Sequence, residues 1–293
     1  MKRILCCILA AVCLCLASCG TEAPAPIAAT TAPVWQFASA ICEGTDLTVS
    51  RLVTENVSCL HDYTLTVGQM QRIEESEVII LSGAGLEEFM SDVLPGRKTI
   101  DASQGIALLE MGSAHTHDGA DSHTGHSHAH DPHIWLSPAN ARIMASNICD
   151  GLSALYPRYE TTFRSNLEKL NEKLYELERY GTRTLTDLSC RQIITFHDGF
   201  GYLAQAFDLE ILRAIEEESG SEASAKELIE LIEEVEHHRL PAVFTEVSGS
   251  ASAAKVLCTE TGIDSYPLDM AMAGDDYFAA MYHNIDTLKE ALQ

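Results

Sequence analysis

The chain has 293 residues, of which 46% are hydrophobic and 21% charged, and its formal net charge is −24. This length and apolar content are enough for two medium-sized domains with buried cores. The excess of 43 acidic over 19 basic side chains argues against binding to a nucleic-acid backbone, which requires clustered Lys and Arg. Aromatic residues make up only 6% of the chain, which disfavours a surface that stacks bases or sugars. The twelve His and ten Cys instead indicate metal chemistry.

The N-terminal segment has the pattern of an export signal that ends in a lipidation site. Two basic residues precede the apolar run Ile4 to Leu16, which is too short to span a membrane. The run leads into Leu-Ala-Ser-Cys, with Cys19 last, and this ending resembles a bacterial lipobox. We therefore predict a signal peptide over residues 1–18, lipidation of Cys19, and a tether rich in Ala, Pro and Thr over 19–32. An ordinary cleaved signal with an incidental Cys is the alternative.

The first half of the chain alternates predicted strands and helices. Apolar and β-branched runs predict strands at Ile27 to Thr31, Thr48 to Val53, Glu77 to Leu81 and Arg97 to Asp101. Helices are predicted at Val34 to Cys42, Thr66 to Glu75 and Leu86 to Val93. This alternation indicates a parallel sheet with helices on its faces.

A long amphipathic helix is predicted in the middle of the chain, from Arg158 to about Thr184. Apolar residues recur there at three- and four-residue spacing, at Phe163, Leu167, Leu170, Leu174, Leu177 and Tyr180. The alternation then resumes, with strands predicted at Ile193 to Phe196, near Ile211, at Ala242 to Thr245 and at Ile263 to Leu268, and helices at Ser224 to Arg239, Ser252 to Thr261 and from Asp276 to the end.

These elements predict an α/β fold of two lobes, each a small, mostly parallel sheet with flanking helices, joined by one long rigid α-helix. The predicted N-terminal lobe covers 33–155, the linking helix 156–187 and the C-terminal lobe 188–293.

A histidine-rich segment interrupts the first lobe. Seven of the twelve His fall between residues 115 and 133. Residues 112–130 have almost no large apolar side chains, so a mobile loop is predicted. Several imidazoles on one flexible loop can bind zinc, copper or nickel weakly. The predicted accessory metal ligands are His115, His117, His123, His126, His128 and His130. A solvated loop without a selected role is the alternative.

Other candidate ligands are dispersed along the chain, close to the ends of predicted strands. His197, Glu246 and Asp269 each come directly after a strand of the second lobe. In an open α/β sheet, the carboxyl ends of the strands line one edge, and ligands bind in the crevice there. We therefore expect these three side chains to share one edge, with His61 and His133 at the matching edge of the first lobe.

Four segments resemble, in order and spacing, the ligand segments of the zinc- and manganese-binding cluster A-I solute-binding proteins of ABC transporters. They are His61-Asp62-Tyr63, Asp131-Pro132-His133-Ile134-Trp135-Leu136, Thr195-Phe196-His197-Asp198 and Leu268-Asp269. The resemblance implies one metal ion in the cleft between two lobes. Its ligands would be His61 and His133 from the first lobe and His197 and Asp269 from the second, with Glu246 or a water in reserve for Asp269.

The implied ligand set favours zinc. Three imidazoles and one carboxylate are borderline donors that suit tetrahedral Zn²⁺, whereas manganese prefers more oxygen ligands. Many manganese-selective relatives have a Glu at the position of His197, so the resemblance also points to zinc. Four protein ligands leave no open position for an activated water, and no HExxH motif of a zinc hydrolase is present, so we do not expect an enzyme. Asp62 and Asp198 could orient the neighbouring imidazoles, with ordinary solvated carboxylates as the alternative.

The resemblance implies a receptor that captures Zn²⁺ with high affinity and delivers it to an ABC permease and its ATPase. The protein would be a monomer, anchored by lipid on the extracytoplasmic face of the cell membrane. One tight zinc site and weaker sites in the histidine-rich loop are expected. The alternatives are a manganese receptor of the same family, or a surface metal buffer or adhesin that acts through the loop.

Five cysteines remain after the signal and Cys19, an odd number, so at least one would be unpaired in an oxidising location. The pairs Cys42–Cys59 and Cys190–Cys258 are plausible bridges, because each falls within one half of the chain, and Cys149 would be left over. Cysteine spacing does not fix the connectivity.

Overall fold

The computed structural model describes residues 25–55, 60, 63–110, 130–215, 224–249, 251–272 and 274–293. The predicted signal peptide, Cys19, His61 and Asp62 lie outside the described residues. So do five of the six loop histidines, His115, His117, His123, His126 and His128.

The first lobe contains a four-stranded parallel sheet with the order β2-β1-β3-β4. Its strands are β1 (Ile27–Ala29), β2 (Val49–Arg51), β3 (Val78–Leu81) and β4 (Thr99–Asp101). The Val-Ile-Ile-Leu sequence of β3 is apolar throughout because helices and loops cover both faces of a parallel strand. β1 begins inside the predicted tether of 19–32, so the folded part of the chain starts before residue 33.

Two helices follow strands of this lobe, α1 (Ala32–Cys42) and α2 (Val67–Glu75). α2 begins at a capping box, in which Thr66 and Gln69 satisfy each other's backbone N–H groups. The helix predicted at Leu86 to Val93 is wrong in type and length, since a 3₁₀ turn spans only Leu86–Met90. Gly85 precedes it in a left-handed conformation and Glu87 departs from helical angles, which prevents a regular α-helix.

Two long helices occupy the middle of the chain, α3 (Pro138–Leu155) and α4 (Glu160–Thr184). A 3₁₀ turn at Pro157–Tyr159 separates them. The predicted linking helix is confirmed, and its apolar stripe is buried at Phe163, Leu170, Leu174 and Leu177. α4 packs on α3 and α1 of the first lobe and on the C-terminal helix described next.

The second lobe repeats the architecture, with a parallel sheet in the order β6-β5-β7-β8. The strands are β5 (Gln192–Thr195), β6 (Glu210–Ala214), β7 (Ala242–Glu246) and β8 (Asp264–Leu268). The helices are α5 (Gly201–Ala206), α6 (Ala225–His238), α7 (Ser252–Thr261) and α8 (Tyr277–Leu292). β7 is buried at every residue, whereas β8 contains Pro267 and is an edge strand, as the missing N–H of proline requires. The predicted two-lobed α/β fold is therefore confirmed.

A continuous apolar core runs through both lobes, from Ile27 in β1 to Leu292 in α8. Buried hydrogen bonds also cross between them. The Tyr277 hydroxyl donates to the Trp135 carbonyl at 2.7 Å, and the Tyr202 hydroxyl donates to the Asp131 carbonyl at 3.2 Å. Within the described residues, no helix is both long and apolar enough to cross a bilayer.

Neither of the two plausible disulfide bridges forms. Among the described cysteines, Cys42, Cys149, Cys190 and Cys258 carry free thiols, and Cys59 lies outside the described residues. The thiols of the second lobe contact other groups, because Cys190 Sγ lies 3.4 Å from the Gln192 carbonyl and Ser265 hydrogen-bonds the Cys258 thiol.

Candidate metal centre

His133 is held rigidly where the chain returns from the histidine-rich segment to the core. Its side chain is 2% exposed, and that of the neighbouring Asp131 is 6% exposed. Asp131 Oδ1 accepts the backbone N–H of His133 at 2.9 Å and lies 2.8 Å from His133 Nδ1. Because a carboxylate accepts only, Nδ1 carries the hydrogen and the lone pair remains on Nε2. The imidazole is thereby set in the tautomer that binds a metal through Nε2.

His197 and Glu246 form the second-lobe part of the centre. His197 follows β5 and Glu246 ends β7, which are neighbouring strands of one sheet. Their Nδ1 and Oε2 atoms are 3.8 Å apart. Burial raises the pKa of Glu246, His133 opposes the rise and the charge of Asp269 adds to it, and together they leave that pKa at about 7. Candidate ligands from both lobes, His133 and Asp269, therefore affect the pKa of this carboxyl group.

The imidazoles of His133 and His197 meet across the lobes, with ring centroids 5.4 Å apart and planes at 77°. Gly199 makes this approach possible. A Cβ atom there would lie 2.8 Å from His133 Nδ1, 2.7 Å from His197 Cδ2 and 2.7 Å from Met270 Cε. Such distances are too short for real contacts, so a side chain at residue 199 would displace the ligands.

Asp269 follows β8, and the side chain of Asn284 holds its backbone in place. Its N–H donates to Asn284 Oδ1 at 2.7 Å, and Asn284 Nδ2 donates to its carbonyl at 2.7 Å. Asp269 Oδ1 accepts the N–H of Ala271 at 2.7 Å, which leaves Oδ2 as the oxygen without that constraint. Asp269 is half-buried at the carboxyl end of its strand.

The structure thus brings His133, His197, Glu246 and Asp269 to one region, as the strand-end argument predicts. Among the described residues, no group of three or more His, Cys, Asp or Glu side chains is placed so that it could hold a metal ion. His61 belongs to the undescribed part, so the complete ligand set stays a prediction. His130 is exposed and forms an isolated antiparallel bridge with Glu110.

Three residues that support the candidate ligands were not predicted from the sequence. Asp131 orients His133, Trp135 packs edge-on against the His133 ring at 5.5 Å, and Gly199 leaves space for both imidazoles. The Asp-Pro-His spacing is a usable signal for Asp131, because a carboxylate two residues before a histidine can bond both its N–H and its ring. Nothing local marks Gly199. The orienting role considered for Asp198 stays a prediction.

Comparison with known proteins matches the chain to a family of zinc-uptake proteins. A family described as ZnuA, the periplasmic zinc-uptake complex component A, matches residues 27–291. The zinc-binding protein AdcA of Streptococcus pyogenes is 31% identical over 290 residues, which cover 92% of this chain and 56% of the relative. The chain therefore spans little more than half the length of that relative.

Solved structures share the fold over nearly the whole chain. A crystal structure of ZnuA superposes with a TM-score of 0.78 at 28% identity, covering 90% of this chain and 98% of the other. The Zn(II)-bound ZnuA-like domain of Streptococcus pneumoniae AdcA gives a TM-score of 0.75 at 26% identity, covering 91% and 98%. With the family match extending over residues 27–291, the chain belongs to the ZnuA family of zinc-uptake complex components.

Proposed function

We propose that the protein is an extracytoplasmic receptor that captures Zn²⁺ between its lobes and delivers it to an ABC permease for import. The tight site consists of His61, His133, His197 and Asp269, with Glu246 in reserve. Zinc is the cargo. The zinc-bound structures of a ZnuA deletion mutant and of the ZnuA-like domain of AdcA support this assignment of the cargo.

The main support for the proposal is the contact between His133 of the first lobe and His197 of the second, whose ring centroids are 5.4 Å apart. Neither lobe alone supplies enough ligands for a tight site. A metal ion that binds both imidazoles stabilises one arrangement of the lobes relative to others, which a permease can recognise.

The donor set supports zinc over manganese and binding over catalysis. Imidazole nitrogen and carboxylate oxygen together suit Zn²⁺, whereas Mn²⁺ favours oxygen ligands. Four protein ligands fill a tetrahedral shell, so no coordination position is left to activate water. We infer that the protein has no enzymatic activity of its own.

Cys19 carries the lipid that anchors the protein on the outer face of the membrane, and a Streptococcus pneumoniae relative is named a zinc-binding lipoprotein. The protein acts as a monomer, and its partners are a permease and the ATPase that drives it. The histidine-rich loop holds zinc weakly and is accessory.

The proposal is tested by titrating zinc against a chromogenic chelator at neutral pH, with the mature protein and with a variant that lacks residues 115–130. We expect one tight equivalent in both proteins. His197→Ala should abolish it, whereas His283→Ala, which removes an exposed histidine of α8, should leave it unchanged.

Two results would overturn the proposal. Loss of tight zinc on deletion of the loop would transfer the function to the loop. Tighter binding of Mn²⁺ than Zn²⁺ in the same competition format would make the protein a manganese receptor.

A further inference from the structure

Arg51, the last residue of β2, reaches from the first lobe to the turn that follows β8 in the second. Its Nη2 donates to the Met272 carbonyl at 2.5 Å, and its Nη1 donates to the Gly274 carbonyl at 3.1 Å. Nη1 also lies 3.3 Å from Asp275 Oδ1, and Nε donates to the Val53 carbonyl at 2.5 Å. One side chain thus joins an edge strand of one sheet to a turn of the other lobe.

The carbonyl contacts matter more than the ion pair. The Arg51 side chain is 7% exposed, whereas that of Asp275 is 87% exposed. Water screens a pair with such an exposed partner, so the pair offsets little of the cost of burying the guanidinium. The planar guanidinium, with its fixed fork of donors, is suited to binding two carbonyl groups of one turn. Arg51 therefore acts mainly on the backbone carbonyls of Met272 and Gly274.

The same turn presents a candidate ligand. It starts at Asp269, whose Oδ1 accepts the N–H of Ala271, and Ala271 has a φ of +57°. This left-handed conformation is unfavourable for alanine and persists only where the surroundings impose it. Trp135 Nε1 donates to the Met270 carbonyl at 2.8 Å. Trp135 and Arg51 of the first lobe therefore donate hydrogen bonds to the carbonyls of every second residue of this turn, at 270, 272 and 274.

We propose that Arg51 is a positioning residue for metal capture, which ties the turn after β8 to the first lobe and so holds the Asp269 carboxylate in the cleft. The inference rests on the proposed function, because it takes Asp269 as a zinc ligand. Without Arg51, Asp269 would sample positions away from the metal, and zinc would dissociate faster. Groups that hold a ligand in place typically change metal affinity 10- to 100-fold.

The test compares zinc affinity and dissociation rate in the mature protein, Arg51→Met, Asp269→Ala and the double variant. We expect Arg51→Met to weaken zinc binding by about 10- to 100-fold, mainly through faster dissociation. In the Asp269→Ala background, the same substitution should have less than a twofold effect, because the ligand that it positions is already absent. Arg158→Met is the matched control, since Arg158 pairs with Asp46 on the surface, and it should bind zinc as the wild type does.

The outcomes separate this inference from the function on which it rests. If the wild type binds no tight zinc, the proposed function fails. If the wild type binds zinc and Arg51→Met binds it equally well, only the role of Arg51 is wrong. Equal losses in the presence and absence of Asp269 would also overturn that role, because they would mean a general effect on the fold.

Arg51→Lys is the second variant if Arg51→Met does not fold. Lysine keeps the charge but lacks the fork of donors, so it cannot hold two carbonyls in the same geometry. Its zinc affinity should lie between those of the wild type and Asp269→Ala, with faster hydrogen exchange in residues 270–276 of the metal-free protein. Wild-type affinity together with wild-type exchange would contradict the proposal.

Discussion

Thr30 and Glu87 are joined by a buried hydrogen bond, in which Thr30 Oγ1 donates to Glu87 Oε1 at 2.6 Å. The same oxygen accepts the N–H of Ser82 at 2.7 Å, and Oε2 accepts the N–H of Gly83 at 3.1 Å. These three donors favour the ionised carboxylate. Burial has the larger effect, and together they leave the pKa of Glu87 raised to about 7.

The raised pKa of Glu87 predicts that the stability of the folded protein falls as the pH rises from about 4.5 to about 7. Between these values the unfolded carboxyl group is mostly ionised, whereas most of the folded group still carries its proton, so the unfolded state binds fewer protons. A shift of this size corresponds to roughly 3 kcal/mol at most. Urea unfolding of the metal-free protein at several pH values measures the effect.

The Glu87→Gln variant isolates this contribution from those of other groups. Its free energy of unfolding should rise relative to the wild type as the pH increases, because Gln cannot ionise. Glu88→Gln, at an exposed neighbour, should keep the wild-type slope. Parallel curves for the wild type and Glu87→Gln would show that Glu87 does not titrate in this range.

Asp131→Asn should weaken zinc binding about 10- to 100-fold. Asparagine can still accept a hydrogen bond through its carbonyl, but it lacks the charge that fixes the His133 tautomer and raises the basicity of Nε2. The chelator competition measures the change, and thermal unfolding checks that the fold persists. Asp150→Asn, on the exposed surface of α3, is the control. Wild-type affinity in Asp131→Asn would mean that His133 is oriented by packing alone.

Gly199→Ala should reduce zinc affinity at least tenfold, because the new Cβ would lie within 3 Å of both imidazole rings and move donors that must meet one ion. Gly68→Ala is the matched control, since a Cβ at Gly68 would meet no atom within 4 Å. Crystals of both variants with zinc, together with their affinities, give the measurement. An unchanged affinity would show that the two rings can move apart without losing the metal.

The free thiols should differ in reactivity in the order of their burial. Burial raises the pKa of Cys42 to about 12, so almost no reactive thiolate forms at neutral pH. Cys42 and Cys149 are buried, whereas Cys190 and Cys258 are half-buried. Brief alkylation of the native protein followed by peptide mass spectrometry should find Cys190 and Cys258 modified first. Detection of a Cys190–Cys258 disulfide peptide would contradict the structure.

The elements that could be predicted from sequence are those with local patterns. The continuous apolar run of β3 and the repeated leucines of α4 encode their own structure, because burial on both faces or on one stripe leaves a readable period. The 3₁₀ turn at Leu86–Met90 was not predictable in this way, since its departure from an α-helix depends on backbone angles at Gly85 and Glu87.

The sequence pointed to three neighbouring candidate ligands of the second lobe, but not to the residues that hold them in place. Strand ends mark His197, Glu246 and Asp269, because parallel strands bring their carboxyl ends together. The bonds from Arg51 to Met272 and from Trp135 to Met270 join residues 221 and 135 positions apart. They follow from how the lobes pack, and no local pattern contains that information.

The continuous core from Ile27 to Leu292 predicts that neither lobe folds by itself. Helix α8 ends the chain, yet it packs on α4 and α1, and the Leu292 carbonyl accepts the N–H of Ser189 at 3.0 Å. The metal-free protein should therefore melt in one calorimetric transition, with equal calorimetric and van't Hoff enthalpies, and two transitions would contradict a shared core. Half of the chain, expressed alone, would expose the surface that its other half covers, so we expect protease resistance only once α8 has packed on α4 and α1.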